Sequence, residues 1–241
     1  MQISWRRPIM FIQDHSFNFA TEDVNSFIKK NNLEKKFVIA LDFDGVISDP
    51  YILKTKYINE YGYNITEEQC GYDACIRKLG IKEKNYKSAL ERAYLADPKI
   101  LPLQEGFKGN FPKLKRLKDA VLILVTSRYN YMIKHLENYL KFNKIKVDGI
   151  FHTELKNKIS ILRKGFVDVF VEDSPFKLKQ IFDKLNSKNR KFFNSCTFIL
   201  YRNKQNYIEK NPNKGIIEVK DWDNLYKAIS KNYNKWVKSR G

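Results

Sequence analysis

The stretch Phe37-Val38-Ile39-Ala40-Leu41-Asp42-Phe43-Asp44-Gly45-Val46 runs an unbroken apolar segment into two carboxylates spaced i, i+2 and then a glycine. A run that is β-prone and apolar at every position suits a central strand covered on both faces, as in a parallel sheet. In such sheets ligands gather at the carboxyl ends of the strands. Asp42 and Asp44 therefore fall where a ligand arrives. Taken alone the pair equally suits a turn or a helix cap, because Asp satisfies free backbone N–H groups.

Outward from this strand, the next strongly β-like run is Val121 to Val125, and the interval between them is longer than a single crossover helix needs. An insertion is expected there. Pro50 marks its entrance, Thr66-x-x-Gln69 is a capping-box pattern predicting a helix to about Leu79, Gly80 is a stop, and a further helix is predicted from about Lys84 to before Asp97-Pro98. Pro102, Gly106 and Gly109 punctuate the return, and Phe111 to Lys118 has helical spacing. Beyond Val125 the pattern alternates: helix about 130–141, a short strand near Ile150, helix about 155–164, strand 167–171, helix 175–186, strand 196–201, strand 215–219 and a helix from Asp221. Upstream, Val24, Phe27 and Ile28 give an apolar stripe to a helix from about Glu22 to Lys30. Such alternation predicts an α/β fold with a Rossmann-like, mainly parallel sheet. The core is expected in residues 1–49 and 106–241, with a small α-helical cap in residues 50–105 set over the mouth of the sheet.

A chain of 241 residues with 43% hydrophobic residues can bury a substantial core, which excludes a disordered protein. Cys70, Cys75 and Cys196 form no disulfide framework and lack zinc-ligand spacing, so a reduced, cytoplasmic setting is expected. The N-terminal residues lack a signal-peptide pattern, and no run approaches the ~18 apolar residues of a membrane span, so no membrane partner is expected. A formal charge of +18 attracts phosphate-rich partners. Lysine is spread along the whole chain, however, without a nucleic-acid-binding motif or a basic tail. A small anionic substrate is favoured over a polynucleotide, and a monomer or homodimer is expected.

Three further polar clusters lie at the ends of the β-like runs: Thr126-Ser127-Arg128, Lys156-Asn157-Lys158 ahead of the following strand, and Glu172-Asp173-Ser174-Pro175. In a parallel sheet with helical crossovers these ends point the same way, so the groups can converge. Each cluster has a plainer reading as a cap, a helix entry or solvated lysine. Their joint appearance in a fixed order at consecutive strand ends is what those readings leave unexplained.

With these residues in view, the chain resembles the haloacid dehalogenase-like (HAD) hydrolase superfamily over roughly Phe37 to Val219. The first motif of that superfamily matches Asp42-Phe43-Asp44-Gly45-Val46, the second Thr126, the third Lys158 with Lys156 as the other choice, and the fourth Glu172-Asp173. The insertion stands where a C1-type cap stands in the family. Where the usual fourth motif is Asp-Asp, this chain has Glu-Asp, which leaves either carboxylate as the direct metal ligand.

The resemblance implies a phosphomonoesterase dependent on Mg2+, a hard cation suited to oxygen ligands, held by Asp42, Asp44 through its carbonyl, Asp173 and Glu172. It implies Asp42 as the nucleophile forming an aspartyl-phosphate and Asp44 as general acid and base, with Thr126 and Lys158 stabilising charge. Gly45, Ser127 and Arg128 are expected at the substrate. The presence of Asp44 favours phosphate over carbon–halogen chemistry. Cap candidates for specificity are Tyr57, Tyr61, Arg77 and Lys78. The Thr-Ser-Arg form and the segment Phe198 to Asn203 are similar to those of deoxyribonucleotidase-like members, so a nucleoside monophosphate stands beside sugar phosphates as a substrate class. The alternative is a nucleic-acid-binding phosphatase that uses the basic surface to process strand ends.

Overall fold

Every side chain from Phe37 to Leu41 is buried, and the strand they form lies inside the sheet with parallel partners on both sides. The protein is seen in a computed structural model that describes residues 10–13, 19–21, 24–154, 158–162, 165–186, 196–206, 210–211 and 213–240. The strands are β1 (Met10–Gln13), β2 (Phe19–Thr21), β3 (Phe37–Leu41), β4 (Ala120–Thr126), β5 (Gly149–His152), β6 (Val169–Glu172), β7 (Thr197–Tyr201) and β8 (Ile217–Val219). Their order is β2-β1-β5-β4-β3-β6-β7-β8, and β5 through β8 in that order pair in parallel. The order reverses at β3, which pairs with β4 on one side and β6 on the other. This is the switch point at which α/β sheets open a crevice.

Alternation along the strands sends side chains to two cores. Ile39, Leu41, Leu122, Leu124, Val169 and Val171 face one layer, while Val38, Ala40, Val121, Ile123 and Phe170 face the other. Helices α1 (Val24–Lys30), α6 (Ile159–Leu162) and α7 (Pro175–Asn186) cover the second face. Helices α4 (Phe107–Lys115), α5 (Ile133–Phe142) and α8 (Trp222–Lys238) cover the first. Coverage on both faces explains the unbroken apolar run of β3.

Between β3 and β4 the chain builds α2 (Tyr51–Asn59) and α3 (Glu83–Tyr94) with short turns between them. These pack around Ile58, Ile65, Cys70, Cys75, Ile81 and Ala89, an apolar cluster separate from the two faces of the sheet. Entry and exit lie side by side: the Asp49 N–H donates to the Pro102 carbonyl and the Gln104 N–H to the Ile47 carbonyl, both at 2.8 Å.

Several elements differ from expectation. The hairpin of β1 and β2, antiparallel to β5, extends the sheet beyond its parallel part. Helix α2 carries no apolar stripe in sequence, because its buried residues Tyr51, Leu53, Lys54 and Ile58 wrap around it and include a lysine. The capping box at Thr66 forms, yet it opens only the turn Glu67–Gln69. The chain then resumes as a wide helical turn over Asp73–Lys78, turning Cys75 into the cap interior. Helix α4 starts earlier than expected, capped by Gly106 at φ 75°, and continues through Pro112. No helix among the described residues is long and apolar enough to cross a membrane, and Cys70, Cys75 and Cys196 are free thiols.

Candidate active site

β3 hands the chain directly to the site. Its pairing with β6 continues one residue further, where the Asp42 N–H donates to the Val171 carbonyl at 2.9 Å. The side chain of Asp42 is thereby fixed between the ends of β3 and β6. Oδ1 accepts from the Phe43 N–H at 2.7 Å, and Oδ2 meets Lys158 Nζ at 2.8 Å. Lys158, just ahead of α6 and 1% exposed, also reaches Glu172 Oε2 at 2.7 Å. One buried ammonium thus bridges two buried carboxylates. Lys156, the other choice for the motif lysine, lies outside the described residues.

Oxygens of Asp42, Glu172 and Asp173 all lie within 4.8 Å of one another. Burial first, then the neighbouring charge of Glu172, pushes the Asp42 carboxyl well above its ordinary value and Asp173 up to about 7. Glu172 is the reverse case: burial opposes its charge, but Lys158 and Lys177 outweigh it and hold it at about 2. Asp42 and Asp173 therefore lack a full counter-charge, while Glu172 is already served by Lys158 and by the Ser174 N–H at 3.2 Å. Two oxygen donors short of positive charge, in a pocket of hard ligands, fit a divalent cation such as Mg2+.

Asp173 is held from several directions. Its carboxylate accepts from the Tyr51 hydroxyl and from Asn203 Nδ2 at 3.0 Å, and its carbonyl accepts from Asn206 Nδ2. Asn203 Nδ2 also donates to the Gly45 carbonyl at 3.2 Å. Gly45 has φ +88°, and a Cβ there would overlap the Asp173 carboxylate and the Tyr51 hydroxyl. The absence of a side chain at Gly45 is what lets Asp173 approach.

Asp44 is clamped by Arg128, whose Nε and Nη2 donate to Oδ2 and Oδ1 at 2.9 and 2.8 Å. Nη1 donates to the Tyr94 carbonyl in α3 at 2.8 Å, and the guanidinium stacks near Phe43 and Tyr94. With its arms on Asp44 and Tyr94 and its side chain 1% exposed, Arg128 lines the cleft while bound to Asp44. The cause is the bidentate match between guanidinium and carboxylate. Thr126, fully buried at the end of β4, accepts the Arg128 N–H on Oγ at 3.2 Å and keeps its own hydroxyl proton to donate. Ser127 lines the cleft.

That cleft encloses about 300 Å³ between Asp42, Asp44, Ser127, Asp173 and Lys177 on the core side and Lys54, Tyr72, Tyr86 and Tyr94 on the cap side. None of the four cap residues expected for specificity lines it. Tyr57 packs under Arg92, Tyr61 bonds Ser88, Arg77 pairs with Asp73, and Lys78 faces a separate surface hollow. Sequence reasoning passed over Lys177, which sits 3.9 Å from Asp42 Oδ2 and 3.7 Å from Glu172 Oε1 with a half-exposed side chain. Its one signal was its place a helical turn after Asp173, which is invisible amid so many lysines.

Once this geometry is fixed, likeness to known proteins can be weighed. No protein-family model matches the chain. A nucleotidase of Clostridium acetobutylicum is 22% identical over 197 residues, covering 82% of this chain and 95% of that protein. A predicted phosphatase from Clostridium acetobutylicum shares the fold with a TM-score of 0.56 at 15% identity, over 81% of this chain and 99% of the other. A haloacid dehalogenase-like protein from Agrobacterium tumefaciens also reaches 0.56 at 15% identity, over 81% and 98% of the two chains. At such identities the likeness speaks for the fold.

Proposed function

We infer that this chain, which has the haloacid dehalogenase-like fold and that superfamily's four motif positions at its strand ends, is a phosphatase acting on small phosphomonoesters. The observation that carries the reading is the meeting of Asp42, Glu172 and Asp173 beside an Asp44 locked by Arg128.

Four carboxylates (Asp42, Asp44, Glu172 and Asp173) face the three cations that pair with them (Lys158, Lys177 and Arg128). A bound divalent cation turns that deficit into a surplus, which suits a dianionic phosphate. In this reading Asp42, Asp173 and the Asp44 carbonyl hold Mg2+, with Glu172 set one layer back by its bond to Lys158. When bound, Mg2+ would supply charge neutralisation for the phosphoryl group.

The remaining work belongs to the chain. Asp42 is the nucleophile: its Oδ attacks phosphorus, the ester oxygen leaves, and an aspartyl-phosphate forms. Asp44 donates the proton to that leaving oxygen, then takes one from the water that hydrolyses the acyl phosphate. Arg128 keeps the Asp44 carboxyl aimed, and the Thr126 hydroxyl and Lys177 ammonium face developing charge on the phosphoryl group. Tyr94 and the rest of the cap wall limit water around the intermediate. Nucleotides and sugar phosphates are both candidate substrates, the former supported by the likeness to a nucleotidase.

The test is turnover of p-nitrophenyl phosphate with Mg2+. Activity is expected to vanish with chelator and return with metal, and Asp42→Asn is expected to lower kcat by roughly a thousandfold or more. An Asp42→Asn protein as active as the original would sink the assignment.

A further inference from the structure

Lys54 stands apart from every other cation at the site. It lies on α2, is 2% exposed and lines the same cleft as Asp42 and Lys177. Among the described residues no carboxylate pairs with it. Its Nζ reaches Gln205 Oε1 at 3.3 Å and lies 4.6 Å from the centre of the Tyr86 ring and 5.7 Å from that of Tyr51. Burial opposes its charge, while the faces of the Tyr86 and Tyr51 rings favour it. A lysine on a helix normally extends its ammonium into water. Here it is turned inward among neutral groups, at a place where leucine would pack without the desolvation penalty.

The reacting phosphate has its own cations beside Asp42, so Lys54 is not needed there. Its environment is that of a charge waiting for a partner on the far side of the cleft. A nucleobase could use the tyrosines, but a neutral ring would leave the ammonium uncompensated. An anion removes that cost.

We propose that Lys54 is the specificity residue of the cleft, binding a second anionic group, carboxylate or phosphate, on a small phosphomonoester whose reacting phosphate lies at Asp42. The proposal rests on the phosphatase reading of Asp42. Gln205 orients the ammonium, and the walls of Tyr72 and Tyr86 set the distance between the two anionic ends.

The test compares matched esters on the whole chain with Mg2+: glycerol 3-phosphate against 3-phosphoglycerate, and propanediol monophosphate against the bisphosphate, with uridine 5′-monophosphate as the neutral-ring arm. The doubly charged member of at least one pair is expected to gain tenfold or more in kcat/KM, and the pair that gains identifies the anion. Lys54→Met should collapse that ratio, and Lys54→Arg should restore part of it. Ratios within twofold in the unaltered chain, ratios unchanged by Lys54→Met, or a preference for uridine 5′-monophosphate over both doubly charged esters would overturn the proposal. Calorimetry on the Asp42→Asn chain separates the two readings. Binding of a doubly charged ester that depends on Lys54, without hydrolysis of any ester by the unaltered chain, removes the phosphatase reading alone. Asp42-dependent hydrolysis of aryl phosphate with no gain from a second charge removes the Lys54 proposal alone.

Discussion

The ammonium of Lys158 holds two buried carboxylates at once, and Lys158 and Lys177 divide structure from chemistry. Removing the buried one leaves Asp42 and Glu172 facing each other, so Lys158→Met is expected to cost about 3–5 kcal/mol, read as a lower Tm. The half-exposed Lys177 carries no such burden; Lys177→Met should leave Tm nearly unchanged while raising KM for phosphate esters. The acids also make stability depend on pH. Asp173 is raised to about 7 by burial and Glu172, so without metal the unfolded chain ionises it first. Stability from this group is lost as pH rises from about 4 to 7. Added Mg2+ should therefore raise Tm more at pH 8 than at pH 5, and an equal effect at both would contradict the assignment of Asp173 as a ligand. At this scale the sequence made Asp42, Asp44, Thr126 and Asp173 legible from their places at or just beyond strand ends, and Lys158, just ahead of α6, from the resemblance. The bond of Arg128 to Asp44 was not legible, because its partner lies 84 positions away and tertiary packing brings the two together.

Among the elements, those of the parallel sheet were the readable ones, because burial on both faces writes a continuous apolar run into the chain. Helix α2 was not, since its contacts surround it and erase the periodicity on which a helix is recognised. Residues at the junctions of elements hold the site in place. Trp222, at the start of α8, is fully buried against Phe107, and its indole N–H donates to the Val46 carbonyl at 2.8 Å. Trp222→Ala is expected to cost about 3–5 kcal/mol and to lower kcat by releasing the loop that carries Asp44; Trp222→Phe should restore much of the Tm without the hydrogen bond. Gly45→Ala combines an unfavourable backbone with overlap on Asp173. Activity should fall further than Tm in that variant, measured by aryl phosphate turnover beside a thermal melt.

For the molecule as a whole, the charge of +18 is carried by exposed lysines on many elements, among them Lys29, Lys87, Lys141, Lys179 and Lys231. Such a field steers small anions more than it grips a strand. The Debye length falls to about 10 Å at 0.1 M salt. Raising ionic strength should therefore lower kcat/KM for anionic esters several-fold with kcat little changed, whereas steep salt-dependent binding of single-stranded DNA would favour the end-processing alternative. The backbone bonds at Asp49 and Gln104 bear on this architecture too. Because the insertion leaves and rejoins the sheet at adjacent points, the core meets it as the tip of a hairpin, whatever its length or contents. Its loop-closure cost is nearly independent of what is carried there. A different helical segment can be carried between the same two points without moving Asp42, which makes the insertion and the strand-end cluster separately exchangeable parts of one chain.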